Sequence, residues 1–535
     1  MAAAVSQCAG WIGFHPEWIT HRVDIYSPIA MQENTTILAN DTPEMSFGDF
    51  IWRIRRNRRY LIGAVGFSVL LMALFKALYP YPNLVLDSYF YVKAAAGNWD
   101  VNAWPIGYSK FLRVFGWFSH SPLLLVWWQY LFLEVSNALF FFTLLYFFRP
   151  GKLVSNVLFI FLFLNPLFLY LSNLIMADTL FTGLSVLWIT QLLWIIYRPR
   201  PYMIVTHAVL LLITFTVRYN ALYYPIVATL AIILSRQKVW VKLAGIGLQF
   251  ALLGCFILFN NSRMEAATGE RQFSAFGGWK IANDALFMYA HIHPAKGDPV
   301  PPKFQILDKM VRKYFDMSHD PGDLNQRDVF WGSTYMFNGY SPLMQYMRRQ
   351  GYSDSNFNFI NSRPWAKVAP LYSAYGSWLI KKYPVAYFQY FLWPNAVRYA
   401  FPTMEIFEAR TPFYLRPDDL GIPAKQWFGL KTLSIAPSLI DLRTQLISFY
   451  PMVSGLVLFA FLIGIAGFII IKGGKKVSRP YLYSLVLISC LWLGNLGFSV
   501  FAAAVVFRYL AFIFIVGFAF TLLLFEFILQ HLDEG

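Results

Sequence analysis

Charge is scarce in this 535-residue chain: 13% of residues are Asp, Glu, Lys or Arg, against 57% that are hydrophobic. A soluble multidomain protein of this length is excluded by such a balance. Acids are scarcest, 28 against 44 Lys and Arg, for a formal net charge of +16. The basic excess gathers in short segments between apolar runs, as the positive-inside rule describes, so it implies no nucleic-acid partner. Cysteine is nearly absent. Of Cys8, Cys255 and Cys490, the last two lie inside apolar runs, which leaves no disulfide framework and no metal motif. Residues 1–46 lack the ordered basic, apolar and small-residue regions of a cleavable signal peptide. Within them Met31 opens a polar stretch, MQENTTILANDTPEM, that reads as a natural start, with residues 1–30 as an upstream extension. There is no solenoid period, and no pair of Pro/Gly-broken half-helices of the kind transporters carry.

What the chain has instead is a series of apolar runs of roughly 18 residues or more, the length that spans hydrocarbon. Arg53, Arg55, Arg56, Arg58 and Arg59 precede the first, about 60–78, and fix the N-terminus in the cytoplasm. Further spans are expected near 123–147, 154–171, 179–196, 203–217, 221–234 and 241–259, then 451–471, 481–503 and 509–529. Alternate spans return to basic residues, which mark each turn assigned to the inner side. The expected fold is therefore an all-α polytopic membrane protein of about ten transmembrane helices, with both termini inside. Residues 1–59 form a cytoplasmic N-terminal segment. Residues 60–260 hold seven spans, with a first outer loop at 79–121. Residues 261–450 form an extracytoplasmic region of mixed structure that partly rests on the membrane surface, and 451–535 hold the last three spans.

The first outer loop reads as two short helices. Asp87 precedes SYFYVKAAA as a helix N-cap and Gly97 ends that helix. Pro105 opens the second. It carries Tyr108, Phe111, Leu112, Phe115 and Phe118 on one side, and Ser109, Lys110, Arg113 and Gly116 on the other, the pattern of an amphipathic helix at the headgroups. This order resembles the first outer loop of the GT-C glycosyltransferases, membrane enzymes that use polyprenyl-phosphate sugars. Their loop has an acid soon after the first span, a short juxtamembrane helix, a Gly-Asp/Asn-Trp turn and a Pro-led helix ending in Phe-Gly. Here those are Asp87, SYFYVKAAA, GNWD and PIGYSKFLRVFG. NPLFLYLSNLIMADTLFTGLSVLWI, VRYNALYYP and FRYLAFIFIVGF resemble later family segments. Among members, the bacterial lipid A aminoarabinose transferase and protein mannosyltransferase-like families are most similar in plan. Many members place two adjacent acids at the first position. Asp87 is followed by Ser88, which suits a general base better than a metal-binding pair.

The resemblance implies transfer of a sugar from a polyprenyl-phosphate donor to a lipid, glycan or protein acceptor at the outer face of the cytoplasmic (inner) membrane. Asp87 would be the catalytic base, because a weak hydroxyl or amine nucleophile needs one nearby. Arg508 and Arg218 lie at outer turns, away from the cytoplasmic clusters, and would hold the departing phosphate. Asp178 would bind an acceptor group or Arg218, or simply cap its span. Lys93 and Arg113 could approach the lipid phosphate, though Arg113 also suits a solvated surface. Asp100 reads as a turn residue. No cofactor is expected, and a divalent metal has no support. Asp316, His319, Asp320, Asp323 and Asp328 lack EF-hand spacing, and His291 with His293 lacks further ligands. Two other functions fit the same pattern. One is a transporter or flippase of an isoprenoid-linked lipid, working without a base. The other is a non-catalytic assembly protein that keeps the fold.

Overall fold

The computed structural model describes residues 45–80, 82–292, 294–295, 297–318, 333–351, 363–404, 421–430 and 447–531. Among these, regular structure is helical, and sheet-type pairing is confined to two isolated bridges, Asn83 with Leu174 and Thr403 with Val506. Eight helices are long and apolar enough to cross a membrane: Arg55–Leu78, Pro122–Phe148, Lys152–Asn173, Ala177–Tyr197, Val239–Thr268, Tyr450–Ile470, Arg479–Ala502 and Phe507–His531. The chain is a helical multi-pass membrane protein. The fifth and sixth expected crossings fall on two shorter apolar helices, Tyr202–Val217 and Tyr219–Leu234. At about 1.5 Å per residue, a 16-residue helix falls short of a bilayer core of about 30 Å. Their separation has a local cause. Arg218 is extended (φ −150°, ψ 133°), a 3-10 turn follows at Tyr219–Tyr223, and Pro225 starts the next helix without an N–H to donate.

Burial sorts the spans. Ala177–Tyr197 is 83% buried over its most apolar window and sits at the centre, whereas Arg55–Leu78 and Val239–Thr268 are 22% buried and lie at the rim. Arg55–Leu78 buries Ala64, Ser68, Met72 and Lys76, at four-residue spacing, and exposes Ile62, Val65, Val69 and Leu74. The third span is interrupted at Pro166, where the Asn165 side chain accepts the Leu167 N–H at 3.1 Å. The seventh was expected to leave the membrane before residue 261. Its helix instead continues through NNSRMEAAT, which holds no breaker, until Gly269 turns it at φ 84°.

Residues 261–450 were expected to be mixed in structure, and their described part is helical. Ala275–Tyr289 and Arg363–Lys382 form its core. The second of these repeats Trp365, Ala369, Tyr372, Tyr375 and Leu379 along one buried face, which is a helical rather than a strand period. Close approach at two glycines sets the spacing. A Cβ on Gly278 would lie 2.2 Å from the Ala369 carbonyl oxygen, and one on Gly376 would lie 2.7 Å from the Ala282 nitrogen. Trp279 and Trp365 stack at 4.3 Å between them, with the Trp279 indole donating to the Trp365 carbonyl at 2.9 Å.

Candidate functional site

The first loop is fastened to the bundle before any charged group is considered. The Asn83 N–H donates to the Asn173 carbonyl at 2.8 Å, and the Ile175 N–H returns to the Asn83 carbonyl at 3.0 Å. Gln129, inside the Pro122–Phe148 span, donates to the carbonyls of Ser172 and Leu174 at 3.0 and 3.3 Å and accepts the Tyr108 hydroxyl at 2.6 Å. The first loop helix is Leu86–Ala96 and the second is Gly107–Gly116. Gly107 permits the second to dock, since a Cβ there would lie 2.5 Å from the Thr216 carbonyl carbon. The Gly421–Phe428 helix packs on the first, so that Ser88 through Val92 are buried on all sides.

Two expected details of the loop are corrected. Asp87 is not the N-cap. The helix begins two residues earlier, at Leu86, capped by Val85, whose N–H donates to Ser88 Oγ at 3.0 Å. Asp87 therefore stands in the first turn. Gly97 ends the helix as expected, but in a right-handed conformation (φ −78°), and the left-handed position that a terminal glycine commonly takes falls on Asn98, φ 48°. Glycine at 97 makes room for the Trp99 ring, which would meet a Cβ at 2.4 Å.

Four residues expected to matter come together from four distant stretches. Arg508, in the first turn of the last span, has Nη1 3.3 Å from Asp178 Oδ2 and 3.8 Å from Asp87 Oδ2. Arg218, at the break between the two short helices, pairs through Nη1 with Asp178 Oδ1. Asp178 thus bridges both guanidinium groups and has 2% of its side chain exposed. Like Asp87 it lies just inside its helix, which Met176 caps, and its partner is Arg218 rather than its own helix end. Arg508 and Arg218 are 11% and 14% exposed, and Asp87, at 27%, is the most open of the four. Two carboxylates meet two guanidiniums, so the cluster is formally neutral.

Residues not singled out from the sequence complete it. The Tyr509 ring lies under both arginines, 4.6 Å from the Arg218 guanidinium and 4.7 Å from that of Arg508, and its hydroxyl accepts from Arg508 Nη2 at 3.1 Å. Its signal was the Arg-Tyr pair in FRYL, read only for the arginine. Tyr91, from the first loop helix, feels all four charges. Burial pushes its phenol far above the ordinary value, Arg218 pulls it back, and Asp87 and Asp178 raise it further. Met176 Sδ lies 3.9 Å from Arg508. Nearby, the buried Lys76 of the first span donates to Asn173 Oδ1.

The remaining candidates are placed differently. The Arg113 guanidinium donates to the carbonyls of Ala95 and Ala96 at 3.4 and 3.3 Å, so it closes the C-terminal end of the first loop helix. Lys93 is half-buried in the last turn of that helix. Asp100 joins Lys110 at 3.4 Å and Arg263 at 3.5 Å, both partly exposed. Asn260, which with Asn261 and Ser262 spells an N-x-S glycosylation sequon, is buried in a helix and donates to the Phe273 carbonyl at 2.6 Å. His291 stacks on Tyr390 at 4.6 Å. His293, His319, Asp320, Asp323 and Asp328 lie outside the described residues, among which no group of three metal-ligating side chains occurs.

The fold and the site together define a multi-pass helical membrane protein with a buried arginine–carboxylate cluster at the helix ends opposite its basic loops. No protein-family model, curated protein or solved structure matches the chain.

Proposed function

We propose that this protein is a GT-C-type membrane glycosyltransferase that passes a sugar from a polyprenyl-phosphate donor to an acceptor at the outer face of the cytoplasmic membrane. One observation carries the reading. Arg508 holds a buried carboxylate, Asp178, at 3.3 Å and a more open one, Asp87, at 3.8 Å. The second contact is the looser, and Asp87 is the carboxylate nearer to solvent. A lipid phosphate entering from that side would take the place of Asp87 on Arg508, and the Asp87 carboxylate, out of that ion pair, would act as base.

In the reaction the acceptor oxygen or nitrogen attacks the anomeric carbon, and its proton passes to Asp87. The bond from that carbon to the phosphate oxygen breaks, and the electron pair leaves with the polyprenyl phosphate. Arg508, held by Asp178 and by the Tyr509 hydroxyl, stabilises the charge that develops there. Attack from the face opposite the leaving phosphate inverts the anomeric centre.

The test uses purified protein, a panel of labelled polyprenyl-phosphate sugars and candidate acceptors. Asp87→Asn keeps the size and most of the hydrogen-bonding geometry and removes the base. Turnover is expected to fall by on the order of a hundredfold or more, with little change in thermal stability. Near-normal transfer by Asp87→Asn removes Asp87 from the mechanism. Movement of labelled lipid between leaflets, with no glycosidic product from any donor, favours a flippase instead.

A further inference from the structure

Residues 384–401 belong to the stretch 261–450 that was expected to rest partly on the membrane surface. They run as a helix at Pro384–Tyr387, a π turn at Phe388–Leu392 and a helix at Trp393–Ala400. Tyr387, Phe391, Asn395 and Tyr399 recur every four residues and are buried. Opposite them Val385, Phe388, Trp393, Val397 and Phe401 are 48–76% exposed. The π turn creates this second stripe, because its wider pitch brings Phe388 and Trp393, five residues apart, onto one face. It also accommodates Pro394, which has no N–H for the Tyr390 carbonyl.

The buried face is seated on membrane spans, from the end of Arg479–Ala502 inward. Asn395 donates to the carbonyls of Val500 and Ala503 at 3.2 and 3.0 Å. Farther along, the Tyr399 hydroxyl donates to Asn495 at 2.9 Å and its ring meets Trp492 at 5.6 Å. Asn495 and Trp492 precede the outer end of Arg479–Ala502 by two to three turns, a depth of about 10–15 Å. On Tyr450–Ile470, Phe401 fills the notch at Gly455, where a Cβ would lie 2.4 Å from its ring, and meets Phe459 at 6.1 Å. Phe459 is more than two turns inside that helix and is itself 47% exposed beside Phe401. The apolar stripe is thus continuous, through Phe401 and Phe459, with the outward face of Tyr450–Ile470.

We propose that Pro384–Phe401 is a re-entrant helix immersed in the outer leaflet, its exposed stripe solvated by lipid acyl chains. A contiguous row of five large apolar side chains is not left in water by a folded monomer, and its depth places it against hydrocarbon. Arg398, the one charged residue on the segment, is half-buried and engaged within the protein, so it does not stand on the exposed stripe. The segment also reaches the site. The Thr403 carbonyl accepts the Phe507 N–H at 2.9 Å, so one backbone hydrogen bond ties its end to the residue before Arg508. This placement stands whether or not the protein transfers sugar.

The test is a nitroxide accessibility measurement. Full-length protein with Cys8, Cys255 and Cys490 replaced by Ser carries Val397→Cys, spin-labelled and reconstituted in phosphatidylethanolamine–phosphatidylglycerol vesicles. The label is expected to collide often with oxygen and rarely with a water-soluble nickel chelate, as at Phe459→Cys. Tyr340→Cys, on the 81% exposed Tyr340 of the outer region, should show the reverse. Nickel collisions at position 397 as frequent as at 340 overturn the proposal. So does protection from both reagents, which would mean that protein covers the stripe. Trp393→Cys gives the same reading if Val397→Cys fails to fold.

Discussion

Asp178 is the residue on which the cluster depends, because it alone of the two acids touches both arginines. Its removal would leave two largely buried guanidiniums facing one another, with Asp87 as the nearest carboxylate. Breaking a buried pair in this way costs about 3–5 kcal/mol. Asp178→Asn should therefore lower both the unfolding temperature in detergent and the rate of transfer, whereas Asp87→Asn should lower the rate alone. Equal stability losses for the two would contradict this division of labour. A second acid has a pH signature. Asp284, in Ala275–Tyr289, is buried; burial raises its pKa to about 6, against the opposing pull of Lys280 at 2.8 Å and the hydrogen bond from Asn283. A folded-state pKa above the unfolded one means that the proton is held more tightly in the folded protein. The stability this contributes is fully present below about pH 4 and is lost as pH rises through about 6. Proteolytic resistance of residues 261–450 should fall across that window, and Asp284→Asn should flatten the profile. A wild-type curve that rises from pH 4 to 7 would be the opposite of what this linkage requires.

At the scale of elements, the two adjacent glycines of Ala275–Tyr289 give opposite expectations. Nothing lies within 4 Å of a Cβ on Gly277, whereas one on Gly278 would strike the Ala369 carbonyl oxygen at 2.2 Å. Gly277→Ala should stabilise slightly, by up to about 1 kcal/mol, through helix propensity. Gly278→Ala must part the helices Ala275–Tyr289 and Arg363–Lys382 and should cost about 1–3 kcal/mol. Thermal unfolding of both variants checks the pair, and equal effects would mean that the helices are not packed at this register. The sequence could not have ranked these glycines. Helical periodicity identifies a face to within one or two positions, but the contact that separates neighbours is made by a residue 91 positions away.

For the whole molecule, the basic clusters and the site should lie on opposite sides of the membrane. Tyr340→Cys, in a chain with its native cysteines replaced, should react with an impermeant maleimide added outside intact cells. Lys475→Cys, in the basic turn at Gly473–Lys475, should react only after permeabilisation. The reverse pattern would put the arginine–carboxylate cluster on the inner face and remove the proposed reaction with it.

The sequence by itself determined the class of protein and the position of most spans, because hydrocarbon imposes a length and an apolarity that can be read one helix at a time. Eight of the expected crossings are helices of spanning length, and the two at 203–217 and 221–234 are shorter because Arg218 and Pro225 interrupt them. The candidate residues Asp87, Asp178, Arg218 and Arg508 were also visible, each as a charge at an outer turn between apolar runs. Their partnership was not, since ion pairs between residues 40 and 330 positions apart leave no periodicity in the chain. Arg113 shows the same limit from the other side: a cation on a polar helix face looks free until the carbonyls of Ala95 and Ala96 are found beside it. Only the packing of the loop on the bundle decided which charges meet, because burial makes each of them require a partner that local sequence does not supply.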